Sequence, residues 1–118
     1  MGGTLPDNAC DIVPEAGMQP GDVLITKRQW GAFYDTGLDQ QLRRKGIKTI
    51  VMGGISTNFG VESTARAAFD RGYEVVFASD AMSSSNGDMH NFTVEKLFPI
   101  MGRVRTTSEI LDALKGGA

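Results

Sequence analysis

The chain is short of the residues that small folds use as staples. Its single cysteine, Cys10, excludes an internal disulfide framework and fits a reducing compartment. One cysteine with one histidine is too few ligands for a structural zinc site, so neither a metal nor another cofactor is expected. An excess of either sign of charge is also lacking: 12 Lys and Arg against 14 Asp and Glu leave a formal net charge of −2. That balance argues against a nucleic acid or membrane surface held by bulk charge. No apolar run approaches the ~20 residues of a membrane span, and the opening Met1–Thr4 has no apolar stretch of signal type. These absences predict a cytoplasmic protein whose partner is a small molecule or anion.

At 118 residues the chain reads as one domain, with residues 1–21 as an irregular arm rich in Gly, Pro, Asp and Asn. Val23–Thr26 follows a Pro-Gly turn and reads as a short buried strand. Lys27–Gly37 is a loop carrying Trp30, Phe33 and Tyr34. Leu38 and Leu42 share the apolar side of a helix that Gly46 stops. Ile47–Met52 is the next strand and Val61–Arg71 the next helix, closed by Gly72, with Ala65, Ala68 and Phe69 on its inner side. Tyr73–Ser79 is a strand, followed by a polar loop over Met82–Asp88. Phe92, Leu97 and Phe98 suggest a helix that Pro99 interrupts. Arg103–Arg105 reads as an edge strand. Thr106 and Glu109 have capping-box spacing ahead of a last helix, and the glycines at 116 and 117 read as a frayed end. Strands alternating with helices of about ten residues imply parallel βα units in a layered α/β fold.

Function in such sheets sits beyond the carboxyl ends of the strands. Three positions fall there: Lys27 with its aromatic loop, the Gly- and hydroxyl-rich elbow Ile55–Gly60, and Asp80. Lys27 is either a solvated charge at a strand end or a lysine facing a cleft whose walls include Trp30 and Phe33. The elbow is either a tight connection that permits close packing or an anion site built from backbone N–H groups at a helix start. Cys10 has no charged partner near it in sequence and reads as a small apolar residue rather than a nucleophile. His90, in a polar stretch, reads as a surface residue.

The segments TKRQWGAFYDTGLDQQLRRKGIKTIVMGG, ISTNFGVESTARAAFDRGYEVVFASDAMSS and FPIMGRVRTTSEIL, in this order, resemble the isochorismatase-like hydrolases, also called cysteine hydrolases. The resemblance implies a three-layer αβα fold around a parallel sheet, six-stranded in the family, and a triad of aspartate, lysine and cysteine. The family lysine falls on Lys27. The pattern Gly-x-x-Thr-x-x-Cys-Val puts the family cysteine at Gly60, so no thiolate can attack there. True isochorismatases resemble this chain in having glycine at that position; they open a vinyl ether with the aspartate as proton donor. By the same resemblance Ile55–Ser56 is a cis peptide, and the N–H groups of Ser56 and Gly60 form the oxyanion site. Trp30, Phe33, Thr57 and Asn58 line the substrate pocket. The family aspartate ends a first strand that precedes everything matched here; Asp7, Asp11 and Asp22 follow no apolar strand. The expected outcome is a chain lacking two N-terminal strands and keeping only Lys27 of the triad. Val23–Thr26 then either pairs directly with Thr49–Gly53, or a second chain fills the gap, which predicts a homo-oligomer. The competing expectation is a non-catalytic module that holds a small anion at the elbow.

Overall fold

A computed structural model describes Pro20, Asp22 and residues 24–117. The arm 1–19, with Cys10, Asp7 and Asp11, lies outside the described residues, as does Val23.

Three parallel strands in the order β1-β2-β3 form the sheet: β1 Thr49–Ile55, β2 Glu74–Ser83 and β3 Arg103–Arg105. Helix α1, Leu38–Arg44, precedes β1, and α2, Glu62–Asp70, joins β1 to β2. Between β2 and β3 the chain runs through α3, Gly87–Phe92, a wider π-type turn over Thr93–Leu97, and α4, Phe98–Met101. Helix α5, Thr107–Gly117, follows β3.

Strand alternation divides the apolar residues between two faces. Ile50, Met52, Val75, Phe77 and Val104 belong to a core with Ala65 and Ala68 of α2 and Phe98 of α4. Ala65, Ala68, Phe77 and Phe98 are all fully buried, and the Phe77 and Phe98 rings stack at 3.8 Å between centroids. The two alanines let α2 lie close to the sheet. On the other face Val51 and Val76 meet Ile110, Ala113 and Leu114 of α5 along an open groove. Helices therefore cover both faces, giving the three-layer αβα arrangement with a parallel sheet.

Both early helices end as the glycines foretell. Gly46 and Gly72 take φ of 70° and 87°, and Ile47 and Tyr73 donate back to Leu42 and Ala68. At the start of α5, Thr106 N–H donates to Glu109 and Glu109 N–H donates to Thr106 Oγ1, the reciprocal cap read from the spacing. The Tyr73 hydroxyl donates to Asp39 at 2.6 Å, tying α1 to the foot of β2. This bond, ahead of the nearby arginines, holds the Asp39 carboxyl below its usual pKa.

Several expectations are corrected. Leu24–Thr26 form no strand and pair with nothing among the described residues; Leu24 is 64% exposed. A short apolar run specifies a strand only where a partner edge meets it. Direct pairing of that segment with Thr49–Gly53 is therefore absent, and among the described residues β1 pairs only with β2. Strand β1 runs on to Ile55 and β2 to Ser83, taking in residues read as elbow and loop. Their register shifts between Met52↔Phe77 and Gly54↔Met82, so β2 carries extra residues there. Phe69 points outward, 49% exposed, because Ala65 and Ala68 set the centre of the buried stripe. Pro99 does not end the helical run: the chain passes from the π-type turn Thr93–Leu97 straight into α4, with Pro99 in its first turn. The glycines at 116 and 117 continue α5 rather than fray.

Candidate functional site

Past the end of β1 the chain enters the elbow. The Ile55–Ser56 peptide is cis, and Thr57–Val61 forms a π-type turn running straight into α2. Phe59 N–H and Val61 N–H both donate to the Ser56 carbonyl at 3.1 Å, which closes the turn around one oxygen. The two glycines just before the elbow are needed for different reasons, one for space and one for its backbone torsion. A Cβ at Gly53 would lie 3.0 Å from the Ala81 carbonyl oxygen, and Gly54 adopts φ 127°.

The loop before α1 folds across this elbow. Ala32 N–H donates to Thr64 Oγ1 at 2.9 Å, and Gly31 approaches Ser63 so closely that a Cβ there would lie 3.1 Å from its hydroxyl. Pinned in this way, the loop delivers Lys27, whose Nζ donates to the Trp30 carbonyl at 2.8 Å. A Cβ built on Gly60 would meet that Nζ at 3.0 Å, the Trp30 oxygen at 3.5 Å and the Ile55 oxygen at 3.7 Å. Lys27 and Gly60, 33 residues apart, thus face each other across a cavity of about 180 Å³. Met52, Gly53, Gly54 and Val61 form much of the rest of its wall, and Lys27 is the charged side chain in the lining.

The other residues expected at the site lie elsewhere. Trp30 packs against Phe59 with the rings tilted by 46° and their centroids 4.9 Å apart. Phe33 is buried against Tyr73, with the Arg71 guanidinium over its ring. Trp30 and Phe33 line a separate, larger groove of about 730 Å³ with Tyr34 and Arg71. Thr57 is fully buried, and its Oγ1 lies 2.6 Å from His90 Nδ1. Asn58 accepts from the Ser84 hydroxyl at 2.6 Å and donates to Met89 Sδ. His90 is thus no plain surface residue: it is half-buried on α3 and holds the elbow. A partner 33 positions away leaves no periodic trace in sequence.

Asp22 is exposed and does not line the cavity. Asp80, in the carboxyl-terminal half of β2, turns instead to α5, accepting from Thr107 N–H at 2.8 Å and Thr107 Oγ1 at 2.7 Å. The Thr107 hydroxyl and then its N–H hold the Asp80 carboxyl below the usual carboxylate pKa. A folded-state pKa below the unfolded one gives stability that is present above the unfolded value and lost as pH falls through the folded one. Urea midpoints of the natural chain and Asp80→Asn are therefore expected to differ at pH 6 and to converge as the pH falls below the ordinary carboxylate range and through the lowered folded-state pKa. A gap that persists at low pH would refute this. Among the described residues no three His, Cys, Asp or Glu side chains gather where they could hold a metal ion. No described helix is long and apolar enough to cross a membrane.

Comparison with known proteins bears on the whole arrangement. Residues 4–109 match the isochorismatase domain family. The chain is 53% identical over 113 residues to an uncharacterized isochorismatase family protein, YwoC, of Bacillus subtilis, covering 96% of this chain and 60% of that protein. It is 36% identical over 111 residues to the ureidoacrylate amidohydrolase RutB of Agrobacterium fabrum, covering 91% of this chain and 47% of that one. Among solved structures, an isochorismatase family protein from Burkholderia thailandensis superposes with a TM-score of 0.86 at 45% identity, over 98% of this chain and 62% of that one. The chain thus spans about half to three-fifths of the length of these relatives.

Proposed function

Because the chain belongs to the isochorismatase family, we propose that it acts in the cytoplasm as a hydrolase of a small polar substrate with a C–N amide or vinyl-ether bond. The observation that carries this reading is the meeting of Lys27 Nζ with the side-chain position of residue 60, at 3.0 Å. A nucleophile placed there would have an ammonium beside it. With glycine in that position no thiolate attacks and no covalent acyl-enzyme forms. What the site offers is electrostatic: Lys27 and the backbone N–H groups of Ser56 and Gly60 hold a negatively charged group of the substrate, such as a carboxylate, beside the bond that breaks, where its charge offsets the cation formed on protonation. Such a site suits a vinyl ether, which hydrolyses after protonation at carbon, better than an amide, which needs a nucleophile. Its proton donor is an acid other than the described residues of the cavity wall, supplied by another part of the polypeptide or by another subunit. Of the residues the resemblance puts in the pocket, Thr57 and Asn58 belong to the elbow itself and Trp30 packs on its Phe59, while Phe33 lies apart against Tyr73.

Turnover assays on isochorismate, ureidoacrylate and nicotinamide test the proposal. Release of pyruvate from isochorismate in preference to hydrolysis of either amide is the expected result; inertness toward all three would overturn it.

One observation favours a second reading. Among the described residues the cavity wall carries a cation and no carboxylate, as expected of a non-catalytic module that holds a small anion. Saturable acetate binding that depends on Lys27, without turnover of the three substrates, would select it. Under either reading we take the chain to work as a homo-oligomer, because the outer edge of β1 is unpaired among the described residues and Val51 and Ile55 beside it are exposed. A monomer in sedimentation equilibrium at micromolar concentration would exclude that assembly.

A further inference from the structure

We infer that His90 is a positioning residue for the elbow, holding the Ser56–Gly60 turn in the geometry that faces Lys27. The inference rests on the reading of that turn as the functional site. Thr57 opens the turn and is fully buried, and the partner of its hydroxyl is His90 Nδ1 at 2.6 Å. The next residue, Asn58, is held by the same segment: the Ser84 hydroxyl donates to its carbonyl oxygen and its amide donates to Met89 Sδ. One turn further on, Thr93 Oγ1 donates to Glu62 at 3.4 Å, where the π-type turn passes into α2. The segment Ser84–Thr93 therefore clamps the elbow side by side along its length.

The clamp is itself built to stay in register. Asn86 caps α3 by accepting from Met89 N–H at 3.1 Å, and its own N–H donates to Ser84 Oγ at 3.2 Å. These bonds set the turn of α3 that carries His90. Within the elbow, by contrast, Phe59 and Val61 share a single carbonyl. A π-type turn so closed has weaker internal support than an α-helical one, and such turns occur where outside contacts over-determine the backbone. Without the imidazole, the Thr57 hydroxyl is left in a dry site, and it gains a partner only by moving the turn. A displaced turn moves Gly60 away from Lys27.

Two readouts test this. The first is amide hydrogen exchange in the natural chain, His90→Leu, His90→Asn and Thr57→Val. Asparagine can place a hydrogen-bonding amide near the position of Nδ1; leucine cannot. Exchange in a peptide spanning residues 55–62 is expected to rise at least tenfold in His90→Leu, with β2 unchanged, and to return toward the natural rate in His90→Asn. Thr57→Val, which keeps the shape and removes the hydroxyl, reproduces the His90→Leu pattern and serves if that variant does not fold. Unchanged exchange, or a rise spread equally over β1 and β2, would overturn the inference. The second readout is functional: the alkylation pH profile of Gly60→Cys in a Cys10→Ser background. Its thiol is expected to titrate about one unit higher when His90→Leu is added, and to recover with His90→Asn. A folded His90→Leu protein with an unshifted profile would deny His90 the positioning role. If the thiol titrates as a free cysteine with His90 intact, the reading of the elbow fails, and the exchange experiment alone decides the anchor.

Discussion

Gly102→Ala is expected to unfold much of the protein. Gly102 lies between α4 and β3 in an extended conformation, φ −175°, that any residue can adopt, so its requirement is one of space rather than of torsion. A Cβ there would lie 2.0 Å from the Val75 carbonyl oxygen and 2.9 Å from its carbonyl carbon. Both are backbone atoms of the central strand, and Val75 is itself buried, so no side-chain rotation relieves the overlap. The relief left is to lift β3 off β2, which breaks the pairing of Arg103 with Val76 and Arg105 with Ala78. That movement also pulls at Phe98, whose carbonyl accepts from Gly102 N–H at 2.9 Å and whose ring stacks on Phe77. Overpacking a core costs about 1–3 kcal/mol where side chains can yield; against backbone the cost is expected to exceed about 4 kcal/mol, a large share of the stability of a domain this size. Gly116→Ala is the control, since a Cβ there meets nothing within 4 Å and alanine favours the helix by up to about 1 kcal/mol. Urea titration followed by far-ultraviolet circular dichroism measures both. A Gly102→Ala midpoint equal to that of the natural chain would show that β3 adapts freely.

What could be read ahead of the structure was whatever the chain encodes locally. The cap of α5 needs residues three apart, Thr106 and Glu109, and the glycine stops at Gly46 and Gly72 need only one residue past a helix. Strand β2 was visible because Val75, Val76, Phe77 and Ala78 are buried on both faces and so form an unbroken apolar run. Val23–Thr26 is a similar apolar run, but Leu24–Thr26 meet no partner edge among the described residues, and composition does not distinguish the two cases. The elbow was legible through its glycines and hydroxyls, and Lys27 through its place beside the aromatic loop. Their 3.0 Å meeting was implied by the resemblance and by nothing in the local pattern. Long-range needs left no mark at all. The space beneath Gly102 and the partner of Thr57 are properties of elements that meet only after folding.

Lys27→Met is expected to remove activity while leaving the fold intact. Methionine keeps the length and the apolar stem and deletes the charge, so any loss belongs to the ammonium. Lys27 donates to a backbone carbonyl that its own loop supplies, and Ala32 and Gly31 pin that loop to α2 without its help. The urea midpoint should therefore move little. Deleting the charge that holds the anionic group of the substrate against the elbow is expected to cost about 10²-fold or more in turnover, the size of loss that misplacing a substrate brings. The lower end of that range applies here, because the Lys27 side chain is partly open to solvent, which screens its field. Gly60→Cys supplies a reading of the same charge that needs no substrate. Its Cβ would sit 3.0 Å from Nζ, a contact that the flexible end of the lysine can relieve by a few tenths of an ångström. An ammonium at that range favours thiolate over thiol, lowering the pKa from about 8.5 toward 7. Combining the two substitutions should return the thiol to its ordinary titration. Loss of turnover together with a restored thiol pKa would locate the effect in the Lys27 charge. If Lys27→Met changed neither quantity, the lysine would be a solvated loop charge, and the electrostatic reading of the elbow would fall with it.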